Sequence, residues 1–218
     1  MAIDRKVFFD GVRDVLYGGR LAGTQVAGLT ALLDRFEAGG ETKDRRFLAY
    51  MLATAHHETG GRLQPVRETF AATDDAAIGR LDRAFAAGKL PQVSEPYWRR
   101  DAAGHSWLGR GLVQITHRRN YARLSALTGI DLVARPERAM EMAVSVEILF
   151  AGMLRGAFTG RRLAEHFSAG RADWVGARRV INGLDRAERV AGYGRTFFAA
   201  LGGQGNPLPN PSPQGGGA

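Results

Sequence analysis

Two glutamates, Glu58 and Glu68, stand in one short segment that also holds two adjacent histidines and the doublet Gly60-Gly61. Apolar residues recur at helical spacing ahead of the first glutamate, which predicts an amphipathic helix over residues 44–59 that ends at the glycines. Glu58 then lies on the apolar face at the helix C-terminus, where desolvation and the helix dipole disfavour its charged form. Glu68 lies in a polar stretch, where we expect it to stay ionised. One protonated and one ionised carboxyl group form the pair that hydrolyses glycosidic bonds.

Spacing alone leaves a simpler interpretation open. Acidic and basic residues make up 24% of the chain, so two solvated glutamates ten residues apart are common. The rest of the sequence must decide between these alternatives.

The elements that would position the two acids are mostly helices. Asp4 is a predicted N-cap for a helix over residues 4–16, and Thr24 for a second helix that ends at Gly39-Gly40. The helix that ends near Glu58 follows as the third. Further helices are predicted over residues 73–85, 120–127, 136–153, 173–181 (capped by Asp173) and 185–201 (capped by Asp185). The sequence therefore predicts a mainly α fold.

A short strand is predicted from Leu112 onward. Val113 and Ile115 alternate with Gln114 and Thr116, which gives an apolar back and a hydrogen-bonding front. Such a front can bind a ligand, and it is equally typical of a plain surface strand.

The length of 218 residues and an apolar content of 44% fit one domain with a sizeable core. We predict that residues 1–203 form this domain and that the Gly- and Pro-rich residues 204–218 form a disordered tail. The apolar runs are too short to span a bilayer, so no stable membrane insertion is expected. The absence of cysteine excludes disulfides and thiolate metal sites.

The net charge of +8, from 30 Lys and Arg against 22 Asp and Glu, favours polyanionic partners such as nucleic acid, anionic lipid or an acidic cell-wall polymer. The sequence has neither a helix-turn-helix pattern nor an aromatic RNA-binding motif, so nucleic acid is not expected as a partner. The charged N-terminus lacks the apolar core of a signal peptide, and synthesis in the cytoplasm without an export signal is expected.

Three segments together resemble the family 19 glycoside hydrolases, which include class I-type chitinases and phage endolysins. They are residues 57–61, residues 109–116 followed by Asn120-Tyr121, and residues 181–183, and the resemblance covers roughly residues 45–200. It implies a lysozyme-like fold with two helical lobes around a cleft and a short β-hairpin or strand. It also implies inverting acid/base hydrolysis without a cofactor or metal.

The resemblance implies a role for each matching residue. Glu58 resembles the general acid that protonates the leaving oxygen, and Glu68 resembles the base that activates water. Thr116 stands where the family holds that water with a hydroxyl group. Sugar-binding positions match Gln114, Asn120 and Asn182, and Arg195 is the expected charged partner of the acid.

Two departures from the plant chitinases favour peptidoglycan over chitin as the substrate: the interval between Glu58 and Glu68 is short, and cysteine is absent. We therefore expect a monomeric phage or prophage lysis enzyme of muramidase type. It would need a holin-type export helper to reach the bacterial cell wall, where it would act. A chitinase is the nearest alternative.

Two other classes of protein remain open. The ligand types of a zinc-dependent peptidoglycan amidase or peptidase are present in His56, His57, His105 and His117 beside Glu58, but the second histidine of a His-Glu-x-x-His motif is missing. A non-catalytic module that binds polyanions is the other alternative, and it depends on the positive charge alone.

Overall fold

The computed structural model describes residues 2–203, and the predicted tail over residues 204–218 lies outside the described residues. Seven helices dominate the described chain: α1 (Arg5–Leu16), α2 (Gly23–Ala38), α3 (Arg45–Glu58), α4 (Asp74–Ala86), α5 (Arg118–Thr128), α6 (Met142–Arg155) and α7 (Ala187–Ala200). Four short 3-10 helices span Glu68–Phe70, Pro136–Met140, Leu163–Glu165 and Gly176–Val180. The mainly α prediction is confirmed.

The strands are four two-residue segments: β1 (Val66–Arg67), β2 (Arg110–Gly111), β3 (Phe167–Ser168) and β4 (Arg171–Ala172). β1 pairs antiparallel with β2, with Val66 opposite Gly111, and β3 pairs antiparallel with β4. Within residues 2–203, no helix is long and apolar enough to cross a membrane.

Helix α3 is the centre of the main core. Every residue from 48 to 56 is buried, so the helix is enclosed on all sides and the predicted amphipathic pattern is wrong for its middle. Helix α7 packs closely against α3 at Gly194. A Cβ atom at this position would lie only 2.9 Å from Trp174 and 3.4 Å from Tyr50, so glycine permits the close approach. This enclosure fixes the direction in which the last turn of α3, and therefore Glu58, projects.

A second, smaller core lies under helix α4. It contains Trp98, Leu81 and Leu108, all buried and separate from the main cluster. The buried Arg110 connects the two regions, since its guanidinium donates to Asp74 at the start of α4 (2.5 Å) and to the Tyr121 hydroxyl on α5 (2.8 Å).

The predicted helix starts are right where a side chain caps the first turn. Asp4 accepts from the Val7 N–H, and Thr73 accepts from the Ala76 N–H. Thr24 is not a cap: α2 begins at Gly23, and Gln25 Oε1 accepts instead from the Ala22 N–H at 2.8 Å.

The last two predicted helices begin differently. Asp173 is not the cap of an α-helix: a 3-10 helix over Gly176–Val180 follows it with Val175 as the N-cap, although Asp173 Oδ1 accepts from the Gly176 N–H at 2.8 Å. Asp185 is not a cap, because Arg186 takes a left-handed conformation and α7 starts at Ala187.

The strand predicted from Leu112 is also wrong. β2 ends at Gly111, and residues 112–114 form a turn that brings Ile115 back to bridge Arg110. The alternation of burial is nevertheless correct, since Val113 and Ile115 are buried while Gln114 and Thr116 are only partly so. The polar side chains therefore lie on a tight turn beside β1.

Candidate active site

Glu58 is the last residue of α3 and projects from the main core with 19% of its side chain exposed. Its Oε1 accepts a hydrogen bond from Arg178 Nη1 at 2.8 Å. Its Oε2 has no hydrogen-bond partner among residues 2–203. The carboxyl group is thus held through one oxygen, while the other remains available for a proton or a ligand.

Arg178 belongs to the 3-10 helix Gly176–Val180 and is only 4% exposed. Its Nε donates to the Asp185 carbonyl at 3.1 Å, so the guanidinium is fixed from both sides. The charged partner of Glu58 is therefore Arg178. The prediction that Arg195 has this position is wrong, and Arg195 forms no ion pair within the described chain.

Glu68 directly follows β1 and is bound to the segment that precedes β2. Its backbone N–H donates to the Gly109 carbonyl at 2.7 Å, and its Oε2 accepts from the Gly109 N–H at 2.8 Å. Its Oε1 accepts from the Tyr97 hydroxyl at 2.7 Å. An ionised carboxylate has about four acceptor sites, so two remain for a water molecule or a substrate.

Tyr97 keeps its proton at neutral pH and so remains a donor to Glu68. Burial, followed by the hydrogen bond to Glu68, raises the pKa of the Tyr97 hydroxyl above its ordinary value of 10.0. The Tyr97 ring contacts His117, with 4.1 Å between ring centroids. Burial and the nearby Arg119 lower the pKa of His117, which favours the neutral imidazole beside the tyrosine.

Gly109 is the point where Glu68 and Gln114 meet. A Cβ atom on Gly109 would lie 2.8 Å from Gln114 Oε1 and 3.3 Å from Glu68 Oε2, so any larger residue would displace one of them. The Gln114 amide nitrogen donates to the Val66 carbonyl at 2.8 Å and to the Gly111 carbonyl at 3.2 Å. The amide of Gln114 therefore fixes the turn beside Glu68.

The other predicted binding residues divide between the two acids. Asn120 donates to the Thr116 carbonyl at 2.8 Å, and both flank His117, which contacts Tyr97 on the Glu68 side. Asn182 is exposed and its N–H donates to the Arg178 carbonyl at 3.0 Å, which places it on the Glu58 side.

The backbone after Glu68 is strained. Thr69 and Phe70 both have positive φ, at 60° and 54°, and His117 has a φ of 65°. Such conformations cost on the order of 1–3 kcal/mol each and cluster at active sites. The Phe70 ring is 49% exposed, and a Cβ atom on Gly60 would lie 3.5 Å from it. Phe70 therefore connects the segment of Glu68 to the loop that follows Glu58.

The histidines have other partners. His56 Nδ1 lies 3.0 Å from the Tyr17 hydroxyl, and His166 Nδ1 lies 3.1 Å from Asp173 Oδ2. Across residues 2–203, no three His, Asp or Glu side chains are grouped as ligands of one metal ion.

Sequence reasoning missed Tyr97 and Arg178 as site residues. The two neighbouring aromatic residues differ in the structure: Trp98 is fully buried, while the Tyr97 hydroxyl donates to Glu68. Arg178 and Arg179 form one of several arginine doublets in the sequence. Arg178 lies four residues before Asn182, a predicted binding residue, and this short interval is the feature of the sequence that could have indicated Arg178 as a site residue.

No protein-family model and no curated protein matches the sequence. The fold does match solved structures. Chitinase C from Streptomyces griseus HUT6037 aligns with a TM-score of 0.57 and 19% identity over 93% of this chain and 77% of that one. A bacterial family 19 chitinase gives 0.53 and 19% over 94% and 98%. A family 19, class IV chitinase from Zea mays gives 0.51 and 18% over 95% and 96%.

The chain therefore has the fold of the family 19 chitinases. The resemblance inferred from the three sequence segments is confirmed at the level of the fold, and the assignment to a phage endolysin branch stays a prediction.

Proposed function

We propose that this protein is an inverting glycoside hydrolase that cleaves β-1,4 bonds between N-acetylated hexosamines in peptidoglycan. The observation that carries the proposal is the unequal setting of Glu58 and Glu68 within a chitinase fold. One acid is held by Arg178 through a single oxygen, and the other is held by donors on both oxygens.

Each setting suits one role. Glu58, with its Oε2 free, would deliver a proton to the glycosidic oxygen as that bond breaks, and Arg178 would then stabilise the carboxylate that remains. Glu68, fixed by the Tyr97 hydroxyl and the Gly109 N–H, can accept a proton from the water that attacks the anomeric carbon from the opposite face. An inverting enzyme needs about 6.5–9.5 Å between the two carboxyl groups to admit that water. Thr116 and Gln114 are the proposed water and sugar contacts beside Glu68, with Asn120 also on that side and Asn182 near Glu58.

The positive charge supports peptidoglycan as the substrate. Peptidoglycan shares its β-1,4-linked backbone with chitin but carries acidic peptides, and a protein of net charge +8 is attracted to an anionic polymer. The chitinase names of the structural neighbours favour chitin as the second candidate substrate.

We further propose that the protein is a monomeric phage or prophage lysis enzyme. In this role it would need a holin-type helper to reach the cell wall and would require no cofactor, nucleic acid partner or membrane insertion.

The test is the loss of turbidity of outer-membrane-permeabilised Gram-negative cells. Glu58→Gln should lower the rate by on the order of 10²–10⁴, because it removes a general acid. Glu137→Gln, which removes an exposed carboxylate far along the chain, is the matched control and should act like wild type. New reducing ends in the products would confirm glycosidic cleavage, and inverted anomers would confirm the mechanism.

Three results would move the assignment elsewhere. Activity that survives in Glu58→Gln but is abolished by EDTA, with release of amino groups, would indicate a metal-dependent amidase. Faster hydrolysis of chitin than of cell walls would indicate a chitinase. Salt-sensitive binding without cleavage by any form would indicate a polyanion-binding module.

A further inference from the structure

A cavity of about 560 Å³ lies directly beside the loop that follows Glu58. His57, Gly60 and Gly61 form one wall, so the cavity adjoins the acid without including it. Nothing in the proposed hydrolysis uses this cavity.

Three arginines converge on the cavity from separate parts of the chain. Arg20 follows α1, Arg62 follows the turn after α3, and Arg189 lies in the first turn of α7. None of the three forms an ion pair within residues 2–203, whereas many other arginines of this chain do. No acidic residue lines the cavity. This local excess of positive charge is therefore available to a ligand.

The remaining walls add neutral groups. Tyr17 and Tyr193 line the cavity, and His56 lies between them, with its ring centroid 4.6 Å from that of Tyr193. Burial lowers the pKa of His56 to about 4, so this imidazole adds no charge near neutral pH. The cationic character comes from the arginines, whose guanidinium groups match carboxylates in a two-point geometry.

Arg62 connects the cavity to Phe70, two residues after Glu68. Its guanidinium lies 4.5 Å from the centroid of the Phe70 ring, and that ring packs against Gly60. A group bound by the arginines would therefore sit beside the loop joining the segments of Glu58 and Glu68.

From this arrangement we infer that the cavity binds the carboxylates of the peptides attached to the peptidoglycan glycan. The inference rests on the proposed function, which it deepens by naming a substrate group that chitin lacks. Contact between carboxylates and the arginines would favour peptide-bearing strands over neutral ones.

The experiment compares native Gram-negative sacculi with sacculi whose peptide carboxylates have been converted to methylamides. Both share the same glycan and differ only in the anionic groups. Cosedimentation measures binding in the Glu58→Gln background, which keeps the sacculi intact, and release of soluble fragments measures cleavage by the active protein. The test variant is Arg20→Gln/Arg189→Gln. The control, Arg123→Gln/Arg135→Gln, removes the same charge from exposed arginines outside the cavity.

We expect the Glu58→Gln protein and the control to bind native sacculi about tenfold more tightly than methylamidated sacculi. The Arg20→Gln/Arg189→Gln variant should lose this preference and keep its affinity for the methylamidated form. An undiminished preference in that variant, or an equal loss in the control, would overturn the inference. If the preference for native sacculi is retained and depends on the arginines, but the active protein does not cleave them, the result would support carboxylate binding in the cavity and refute the proposed hydrolase function.

Discussion

The hydrogen bond from Tyr97 to Glu68 offers the sharpest test of the proposed base. Tyr97→Phe removes one oxygen and leaves the ring in place against Trp98 and His117, whose centroids lie 5.1 and 4.1 Å away. The Gly109 N–H still holds Oε2. The substitution thus frees one carboxylate oxygen without opening a cavity.

The expected effect follows from the strength of that bond. A hydrogen bond to a charged group contributes about 1.5–3 kcal/mol. If this stabilisation fixes Glu68 for proton transfer, its loss lowers kcat by about ten- to a hundredfold, at 1.36 kcal/mol for each factor of ten. KM should change little, because an interaction that acts in the transition state affects kcat and kcat/KM equally. The free energy of unfolding should fall by no more than the same amount, about 1.5–3 kcal/mol, which is the contribution of this bond to the folded state.

A double-mutant cycle separates positioning from a structural role. If Tyr97 acts through Glu68, Tyr97→Phe should have almost no further effect on the residual rate of Glu68→Gln. The assay is the release of reducing ends from purified glycan strands, with thermal unfolding in parallel. An equal loss of rate in both backgrounds would refute the positioning role. A loss of stability that accounts for the whole loss of rate would refute it as well.

Two further predictions concern the main core. Arg178→Met should lower the free energy of unfolding, measured in urea, by about 3 kcal/mol. This value is at the lower end of the range for breaking a buried ion pair, because the Glu58 side chain is 19% exposed. Arg178→Lys should restore only part of the lost stability. Burial and the neighbouring His57 lower the pKa of His56 to about 4. The unfolded chain therefore binds the proton first, so this contribution to stability is complete above about pH 6.5 and decreases as the pH falls toward 4, by up to about 3 kcal/mol. His56→Gln should flatten that part of the pH dependence, and an unchanged slope would contradict the assignment.

The helices could be predicted from the sequence because their signals are local. Asp4 and Thr73 cap the turns that follow them, and Gly39 ends α2 as expected. The predicted starts were wrong where another residue determined the first residue of the helix. Gln25 binds the Ala22 N–H and starts α2 before Thr24, and the left-handed Arg186 delays α7 past Asp185.

The turn over residues 112–114 shows a different limit. Alternating burial is the signal of a strand, but a turn that folds back onto β2 can produce the same alternation over five residues. The Ser145 hydroxyl accepts from the Leu112 N–H at 2.6 Å, so a residue on α6 stabilises the turn. A distant hydroxyl of this kind gives no signal within residues 107–116.

The two candidate acids show the same division between local and distant causes. Their unequal roles were inferred from local surroundings: a helix end for Glu58 and a polar stretch for Glu68. In the structure the hydrogen-bond partners of the two acids come from far along the chain, since Arg178 lies 120 residues from Glu58 and Tyr97 lies 29 residues from Glu68. Hydrogen-bond donors, rather than exposure to solvent, therefore hold Glu68, and a change at Tyr97 should alter its function while the local sequence around it stays the same.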